Sequence, residues 1–302
     1  MEAPNERPGE FADAWHDHRR YVLDIAYRML GSISDAEDVV QETFTRLLTA
    51  DIEEIDDLRG WLVVVAGRLC IDQLRSAQTR RRAYVGPWLP EPVVEPPAPS
   101  NDPAERVTLD DSVRMALLVV LEQLSPAERA AFVLHDVFQF SFEDIGEIVG
   151  RSAEACRQLA SRARRHVAEN TGRSRFDADP AELNRLAERF IAAASNGDLD
   201  ALMEVLDPDV AGWTDTGGVP GAPRKAFVGR EAVVKQLFRF LDAFGVHMVA
   251  MPVNGEPGAV VYQGDRLLAV LAFETRDGRI TKIHGIANPA KIAYVAGLLG
   301  AR

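Results

Sequence analysis

The 302-residue sequence predicts a multidomain chain. Two all-α helical parts, the second built around a helix-turn-helix, precede an α+β part whose sheet curls around helices. Three observations carry this. Apolar residues recur with helical spacing from Phe11 to Arg82, and a second helical stretch, Leu109 to Thr171, holds five Arg between Arg151 and Arg165. Beyond Asp179, short alternating runs split by Asn254-Gly255 and Asp277-Gly278 replace the helical period. The expected divisions are residues 8–82, a linker over 83–108, a helix-turn-helix part over 109–171 and the α+β part over 180–302.

The first helix carries Trp15, Val22, Ile25, Ala26 and Met29 on one stripe and ends at Gly31. In the second, Ser34 and Glu37 have capping-box spacing. Ala36, Val39, Val40, Phe44, Leu47 and Leu48 give it an apolar face opposite Asp35, Asp38, Gln41, Glu42, Thr45 and Arg46. The third runs from about Leu58 to Arg75, with Trp61, Leu62, Val65, Leu69 and Leu74 inward and Arg68, Asp72 and Arg75 outward; Arg80, Arg81 and Arg82 extend the basic surface. Seven prolines between Tyr84 and Pro103 predict a stiff, extended linker, in which Trp88-Leu89-Pro90 is an apolar exception that suits docking or, equally, a local aromatic-proline contact.

Ser125-Pro126-Ala127-Glu128 combines an N-cap, Pro at N1 and Glu at N3, starting a helix to Phe138. Ser141 caps a short helix with Ile145, Ile148 and Val149 inward, Gly150 makes the turn and Ser152 caps the next helix. There Ala155, Leu159, Ala163 and Val167 face inward while Arg157, Gln158, Ser161, Arg162, Arg164 and Arg165 face out. Arg can pair with guanine or neutralise phosphate and Gln can read adenine, so this face has major-groove chemistry. The third part opens with a helix through Leu183, Leu186, Phe190 and Ile191 and a turn at Asn196-Gly197-Asp198. Strands follow at Val246 to Val253, Gly258 to Tyr262, Arg266 to Glu274 and Ile280 to Ile286, giving an antiparallel sheet.

The formal charge is −12, so the basic residues act through local clusters, not through the sum. Cys70 and Cys156 lie on separate helices, which supports neither a disulfide framework nor a four-ligand metal site, and they read as buried thiols. No apolar run approaches the roughly 20 residues that span a bilayer, so a cytoplasmic protein is expected.

The order and spacing of Asp35-Ala36-Glu37-Asp38-Val39-Val40-Gln41-Glu42-Thr43-Phe44, Arg59-Gly60-Trp61-Leu62, Ile71-Asp72-Gln73-Leu74-Arg75 and the helix-turn-helix after Leu124-Ser125-Pro126-Ala127-Glu128-Arg129 resemble bacterial extracytoplasmic-function sigma factors. The resemblance is to the subgroup with a C-terminal SnoaL-like extension of the NTF2-like cone fold. It implies a factor that directs RNA polymerase core to promoters, touching its β′ and β subunits and promoter DNA. Polymerase binding falls on Asp35, Asp38, Gln41, Glu42 and Arg46. Capture and melting of the −10 element fall on Arg68, Asp72, Arg75, Arg80, Arg81 and Arg82; the family often has Asn where this chain has Arg68. Reading of the −35 element falls on Ser152, Arg157, Gln158, Ser161, Arg162 and Arg165. The subgroup's signatures appear as Trp88-Leu89-Pro90, as Asp215-Thr216-Gly217-Gly218-Val219, where Thr216 and Val219 depart from the pattern, and as Asn288-Pro289-Ala290-Lys291-Ile292. The expected regulatory contacts are Trp88, Leu89, Pro90, Asp215, Gly217, Gly218, Asn288 and Pro289, through which the cone modulates activity in cis.

SnoaL-like cones include polyketide cyclases, so the resemblance makes Asp215, His247 and His284 candidate pocket residues beside Trp213, Phe244 and Phe273. Scattered singly, they fix no catalytic pair. No enzymatic activity, cofactor or metal is expected, whereas a small ligand in the cone is admitted, and the free protein is expected to be monomeric. The alternatives are a stand-alone helix-turn-helix regulator with a ligand-sensing cone, and a SnoaL-type enzyme fused to a DNA-binding module.

Overall fold

The computed structural model describes residues 7–51, 54–82, 84–95, 113–170, 180–220 and 222–301, with side chains omitted before 11 and at 77–82 and 180–183. Its contacts divide the chain into two compact units. One joins residues 1–80, 99–108 and 120–170; the other joins residues 81–98, 109–119 and 171–302.

In the first unit, α1 (Arg7–Leu30) ends at Gly31 in the left-handed region, and α2 (Ile33–Thr49) packs on it. The cap of α2 is Ser32, not Ser34: its backbone is extended and its hydroxyl accepts the Asp35 amide at 3.1 Å. The left-handed Gly31 reverses the chain so that the helix is capped two residues earlier than the Ser34 spacing suggests, and Asp35 supplies the acidic N3 position. Ser32→Ala is therefore expected to cost about 1 kcal/mol in urea unfolding, and Ser34→Ala clearly less. α3 (Leu58–Arg82) is longer than its apolar pattern indicated, and buries Val63, Ala66 and Cys70 as well as Leu62 and Leu74.

A short helix, α4 (Met115–Leu121), leads to α5 (Pro126–Phe132), whose capping box of Ser125 and Glu128 forms as expected. A π-helical segment, Val133–Val137, then widens the last turns before α6 (Phe142–Val149). Gly150 adopts φ 72 between α6 and α7 (Ala153–Asn170), and the Ser152 hydroxyl accepts the Ala155 amide.

The two helical parts pack together in this unit. The buried Arg129 guanidinium donates from Nη1 both to the Met29 carbonyl and to Glu122, at 2.9 Å each. Tyr21 meets Phe138 edge-on, with Arg28 over the same Phe138 ring. Arg68 on α3 donates to the Glu147 carbonyl on α6 at 3.1 Å. A Cβ on Gly67 would stand 2.8 Å from Ile148 on α6, so glycine is what lets α3 and α6 approach.

The second unit contains α8 (Pro180–Asn196), α9 (Leu199–Val205), β1 (Leu206–Asp215), β2 (Phe227–Val228), α10 (Arg230–Phe244), β3 (His247–Ala250), β4 (Gly258–Gln263), β5 (Arg266–Arg276), β6 (Arg279–Ile286) and α11 (Pro289–Leu299). The sheet order is β2-β1-β6-β5-β4-β3. It is mixed and not wholly antiparallel, because β1 and β6 run parallel. Alternation in sequence reports a strand's face and not its direction, and β1 joins no hairpin with β6. β1 also escaped the pattern, since its register shifts between Leu206 and Ala211 and its burial does not alternate cleanly. α10 follows Gly229, which supplies no capping side chain.

The two faces of the sheet bury different cores. On one, Phe190 of α8 packs edge-on against Phe273, with Val210, Met248, Val261, Ala269 and Ile283 around them. On the other, Val260, Val270, Ala272 and Ile286 pack against Ile292 and Val295 of α11, Met115, and the linker's Leu89 and Val94. The linker is extended as its prolines require, yet it is docked and no free spacer over its described length.

Candidate functional site

Successive strand residues point to opposite faces, so Trp213 and Asp215 of β1 share the linker-covered face with His284 and Ile286 of β6, their register partners. There the Asp215 carboxylate is fully buried and takes four donors. Tyr84 Oη donates to Oδ1 in a short contact, the Gly217 amide donates to Oδ1 at 3.1 Å, and the Leu89 amide donates to Oδ2 at 2.9 Å. Lys291 Nζ, on the first turn of α11, lies 2.7 Å from Oδ2 and also donates to the Leu89 carbonyl. Its ammonium sits 3.3 Å from the centre of the Trp88 ring, which itself stands edge-on to Tyr84.

A charge removed from water is tolerable only when paired and hydrogen-bonded, and both conditions hold on each side of this pair. Burial and the neighbouring carboxylate push the Tyr84 phenol well above its ordinary value, so it remains a donor. Asn288 caps α11 through Oδ1 and donates from Nδ2 to Tyr84 Oη at 3.2 Å. Gly217 has φ 72, and a Cβ there would stand 3.0 Å from Asn288; both features demand glycine.

Of the residues expected from sequence to make regulatory contacts, Trp88 and Leu89 touch Asp215 or its counter-ion, Gly217 donates to it, and Asn288 reaches it through Tyr84. Pro90 is buried beside Leu89, Pro289 is the exposed N1 residue of α11, and Gly218 has φ 79. Val219 is exposed, and the cation that pairs with Asp215 is Lys291. Tyr84 and Lys291 were not singled out, because their roles depend on three segments meeting.

A second attachment lies at the Asn254-Gly255 turn. Asn254 is buried with φ 54. Its amide donates to the Val93 carbonyl at 2.7 Å, its Oδ1 accepts the Val93 amide at 3.1 Å, and its Nδ2 donates to the Val113 carbonyl at 2.8 Å. One side chain therefore ties a point of the linker, Val93, to Val113 just beyond its end, 113 − 93 = 20 residues on. Val94 bridges Val253 beside it, and Arg114 approaches Glu256 at 3.9 Å. The sequence marks this turn as a hairpin signal, which hides its second role.

Of the pocket set, Asp215, Trp213 and His284 share one face of the sheet, but His247, Phe244 and Phe273 do not join them. Phe273 lies in the opposite core, Phe244 is exposed at the end of α10, and His247 is exposed on the edge strand β3. His284 stacks on Trp213 with ring centres 5.5 Å apart, and its Nε2 meets Glu274 Oε1 at 2.7 Å. Burial would raise the Glu274 carboxyl, but the hydrogen bond and charge of His284, with Lys282, hold it below its ordinary value.

On α2, Asp38, Gln41, Glu42 and Arg46 are exposed and Asp35 is half-buried. Glu42 and Arg46 pair at 2.8 Å. Leu48 is not on the inward face as expected but 55% exposed, since Leu47 takes the buried position. It adds an apolar contact to the acidic face.

Arg68, Asp72 and Arg75 project from α3 as expected; Arg75 pairs with Asp72, and Arg68 is held by α6. The side chains of Arg80, Arg81 and Arg82 lie outside the described residues. On α7, Arg157, Gln158, Ser161, Arg162 and Arg165 are exposed, and Ser152 is the exposed cap. Arg162 pairs with Glu128 at 3.0 Å, and Arg164 with Asp136 at 2.6 Å. Both thiols are free and buried, and burial raises each. Among the described residues no helix is long and apolar enough to cross a membrane.

Three family models match the chain: Sigma-70 region 2 over residues 14–80, Sigma-70 region 4 over 114–167 and a SnoaL-like domain over 187–283. The chain is 44% identical over 291 residues to a probable ECF RNA polymerase sigma factor, SigI, of Mycobacterium tuberculosis, covering 95% of this chain and 96% of that one. It is 40% identical over 285 residues to the ECF RNA polymerase sigma factor SigJ of the same organism, covering 90% of each. The crystal structure of SigJ superposes with a TM-score of 0.74 at 35% identity, covering 95% of this chain and 98% of that one. These relatives span nine-tenths or more of the chain and are named as sigma factors. The helix-turn-helix, the acidic α2 and the appended mixed-sheet domain are thus the parts of one architecture, and the chain belongs to the extracytoplasmic-function RNA polymerase sigma factors with a C-terminal SnoaL-like domain.

Proposed function

We propose that the SnoaL-like domain governs this sigma factor in cis by holding the linker between its two DNA-binding parts. In this reading α2 meets the β′ subunit through Asp35, Asp38, Gln41, Glu42 and Arg46, joined by Leu48. α3 engages the −10 element, and α7 reads the −35 element. The protein acts as a monomer on polymerase in the cytoplasm. The observation that carries the reading is the buried lock of Asp215 on Tyr84, Leu89 and Lys291, which fixes the linker to the domain.

The two elements are about 25 base pairs apart by their numbering, on the order of 85 Å of duplex. A unit in which Arg68 of α3 is bonded to the Glu147 carbonyl of α6 cannot serve both elements at once. It must open, and the linker must supply the reach. Residues 93 and 113, held through one amide, stand on the order of 8 Å apart; released, their 20 residues extend to roughly 70 Å. The linker attachments are therefore well placed to set the balance between closed and open forms. A small molecule in the cone would shift that balance only by binding the docked and released linker with different affinity.

Run-off transcription with core polymerase tests this, using the full chain, residues 1–171, and a chain shortened by residues 288–302. Promoter-specific transcripts whose yield differs between the full chain and residues 1–171 are expected. The shortest truncation, which removes Lys291 but keeps the sheet, should differ from both. Equal output and equal core affinity in all three would sink regulation in cis while leaving the sigma function standing.

A further inference from the structure

The arginines of α7 are not equivalent. Arg162 and Arg164 are tied to Glu128 and Asp136, acids of the preceding helical segments, and so brace the helix-turn-helix. Arg165 has no ion pair among the described residues and is free to meet a phosphate. Arg157, on the N-terminal half of α7, is different again. Its Nη1 lies 3.3 Å from Glu154 and its Nη2 lies 3.3 Å from Glu143 of α6. Its guanidinium carbon stands 5.5 Å over the Phe142 ring, and Phe142 stacks on His135 with ring centres 4.0 Å apart.

Resting on α7 being the helix that enters the groove, we infer that Arg157 is its guanine-reading residue, and that Glu143 and Glu154 position it for a base edge and against phosphate. Each terminal nitrogen of a guanidinium carries two N–H donors. One carboxylate on each therefore leaves one donor on each, the pair needed for the O6 and N7 of guanine. The Phe142 face and the two acids restrict the side chain, so little freedom is lost on binding.

Charge supplies the discrimination. One guanidinium and two carboxylates sum to −1, so this trio offers no net positive charge to a phosphate while its free donors remain open to a neutral base. Ordinary arginines gain affinity from any duplex through phosphate; Arg157 is denied that gain and rewards only its base. Glu143 thus acts through Arg157 as a positioning residue and would not touch DNA itself.

The test uses holoenzyme assembled from core polymerase and the full chain, with a duplex library randomised through the upstream promoter element, sequenced before and after capture. Thermal unfolding confirms that each variant is folded. Arg157→Ala should abolish preference for guanine at one position, roughly 5- to 150-fold, with other positions unchanged. Arg157→Lys, which keeps the charge without the fork, should lose the same preference. Glu143→Gln should weaken discrimination at that position while raising binding to unrelated duplex and steepening the salt slope by up to about one phosphate equivalent. A merely structural role for Glu143 would instead lower all binding together, and that result overturns the inference. Arg165→Ala should lower capture of all sequences alike. If Arg165→Ala behaves so but Arg157→Ala also acts uniformly, Arg157 is a phosphate contact and the inference fails although α7 stands as the reading helix. No change in any variant would remove α7 from the interface and overturn both.

Discussion

Replacing Lys291 by Met should destabilise the SnoaL-like domain by about 3–5 kcal/mol in chemical denaturation, because it strands the Asp215 carboxylate without its counter-ion. Asp215 is fully buried and the Lys291 side chain is 6% exposed, so water cannot substitute for either partner. Asp215→Asn should cost a similar amount by stranding the ammonium and weakening the Tyr84 and Leu89 attachments. The double variant Asp215→Asn with Lys291→Met should recover part of the loss, since no uncompensated charge remains buried. A double variant whose cost equals the sum of the two singles would show that the pair is not coupled. In run-off transcription all three variants should depart from the parent in the same direction, because each releases the linker at Leu89. Normal transcription from unstable variants would separate the lock's structural role from its regulatory one.

The second large effect is expected at Asn254. Glycine keeps the left-handed backbone at φ 54 but removes the side chain, so Asn254→Gly isolates the amide's contribution. It leaves the Val93 amide and the Val113 carbonyl without partners, at about 1–3 kcal/mol for each buried group. Hydrogen exchange at the Val93 amide should accelerate by orders of magnitude, while amides in the centres of β4 and β5 keep their protection. Because release adds reach on the scale of the promoter, transcription should change more than the stability loss alone would cause. A variant with accelerated Val93 exchange and parental transcription would show that linker reach does not limit initiation.

The two attachments also explain why a truncation is a blunt probe. Residues 1–171 retain Leu89, Val94 and Met115 but lose the strands that bury them. The truncated protein therefore exposes apolar surface as well as freeing the linker. Point changes at Asp215, Lys291 and Asn254 release the linker with the core intact, and separate the two consequences.

Much of this was legible in the sequence where the determinant is local. The capping box at Ser125 and Glu128, the left-handed Gly150 and the Ser152 cap follow from short-range chemistry, and each formed as read. The motifs also carried the family, and with it the candidate faces of α2 and α7. Local reasoning slipped where two local signals competed, as at Ser32 and Ser34, and where a helix lacked a capping side chain, as at α10.

The tertiary structure decided everything that depends on segments far apart meeting. The direction of β1 against β6, the burial of Lys291 on Asp215 across 76 residues, and the bond from Asn254 to Val113 across 141 residues have no sequence period. Apolar alternation says that a residue is buried, but not what it is buried against. The division of the α7 arginines into braces, a free cation and a doubly held Arg157 likewise arises largely from acids on α5, α6 and the π-helical segment, with Glu154 of α7 as the one local partner. The sequence alone determined the family and those elements and caps whose signals lie in neighbouring residues, such as the Ser125 box and the Gly150 turn. The three-dimensional fold alone determined which polar groups are locked and which are left to act, because pairing a charge depends on distance in space and not along the chain.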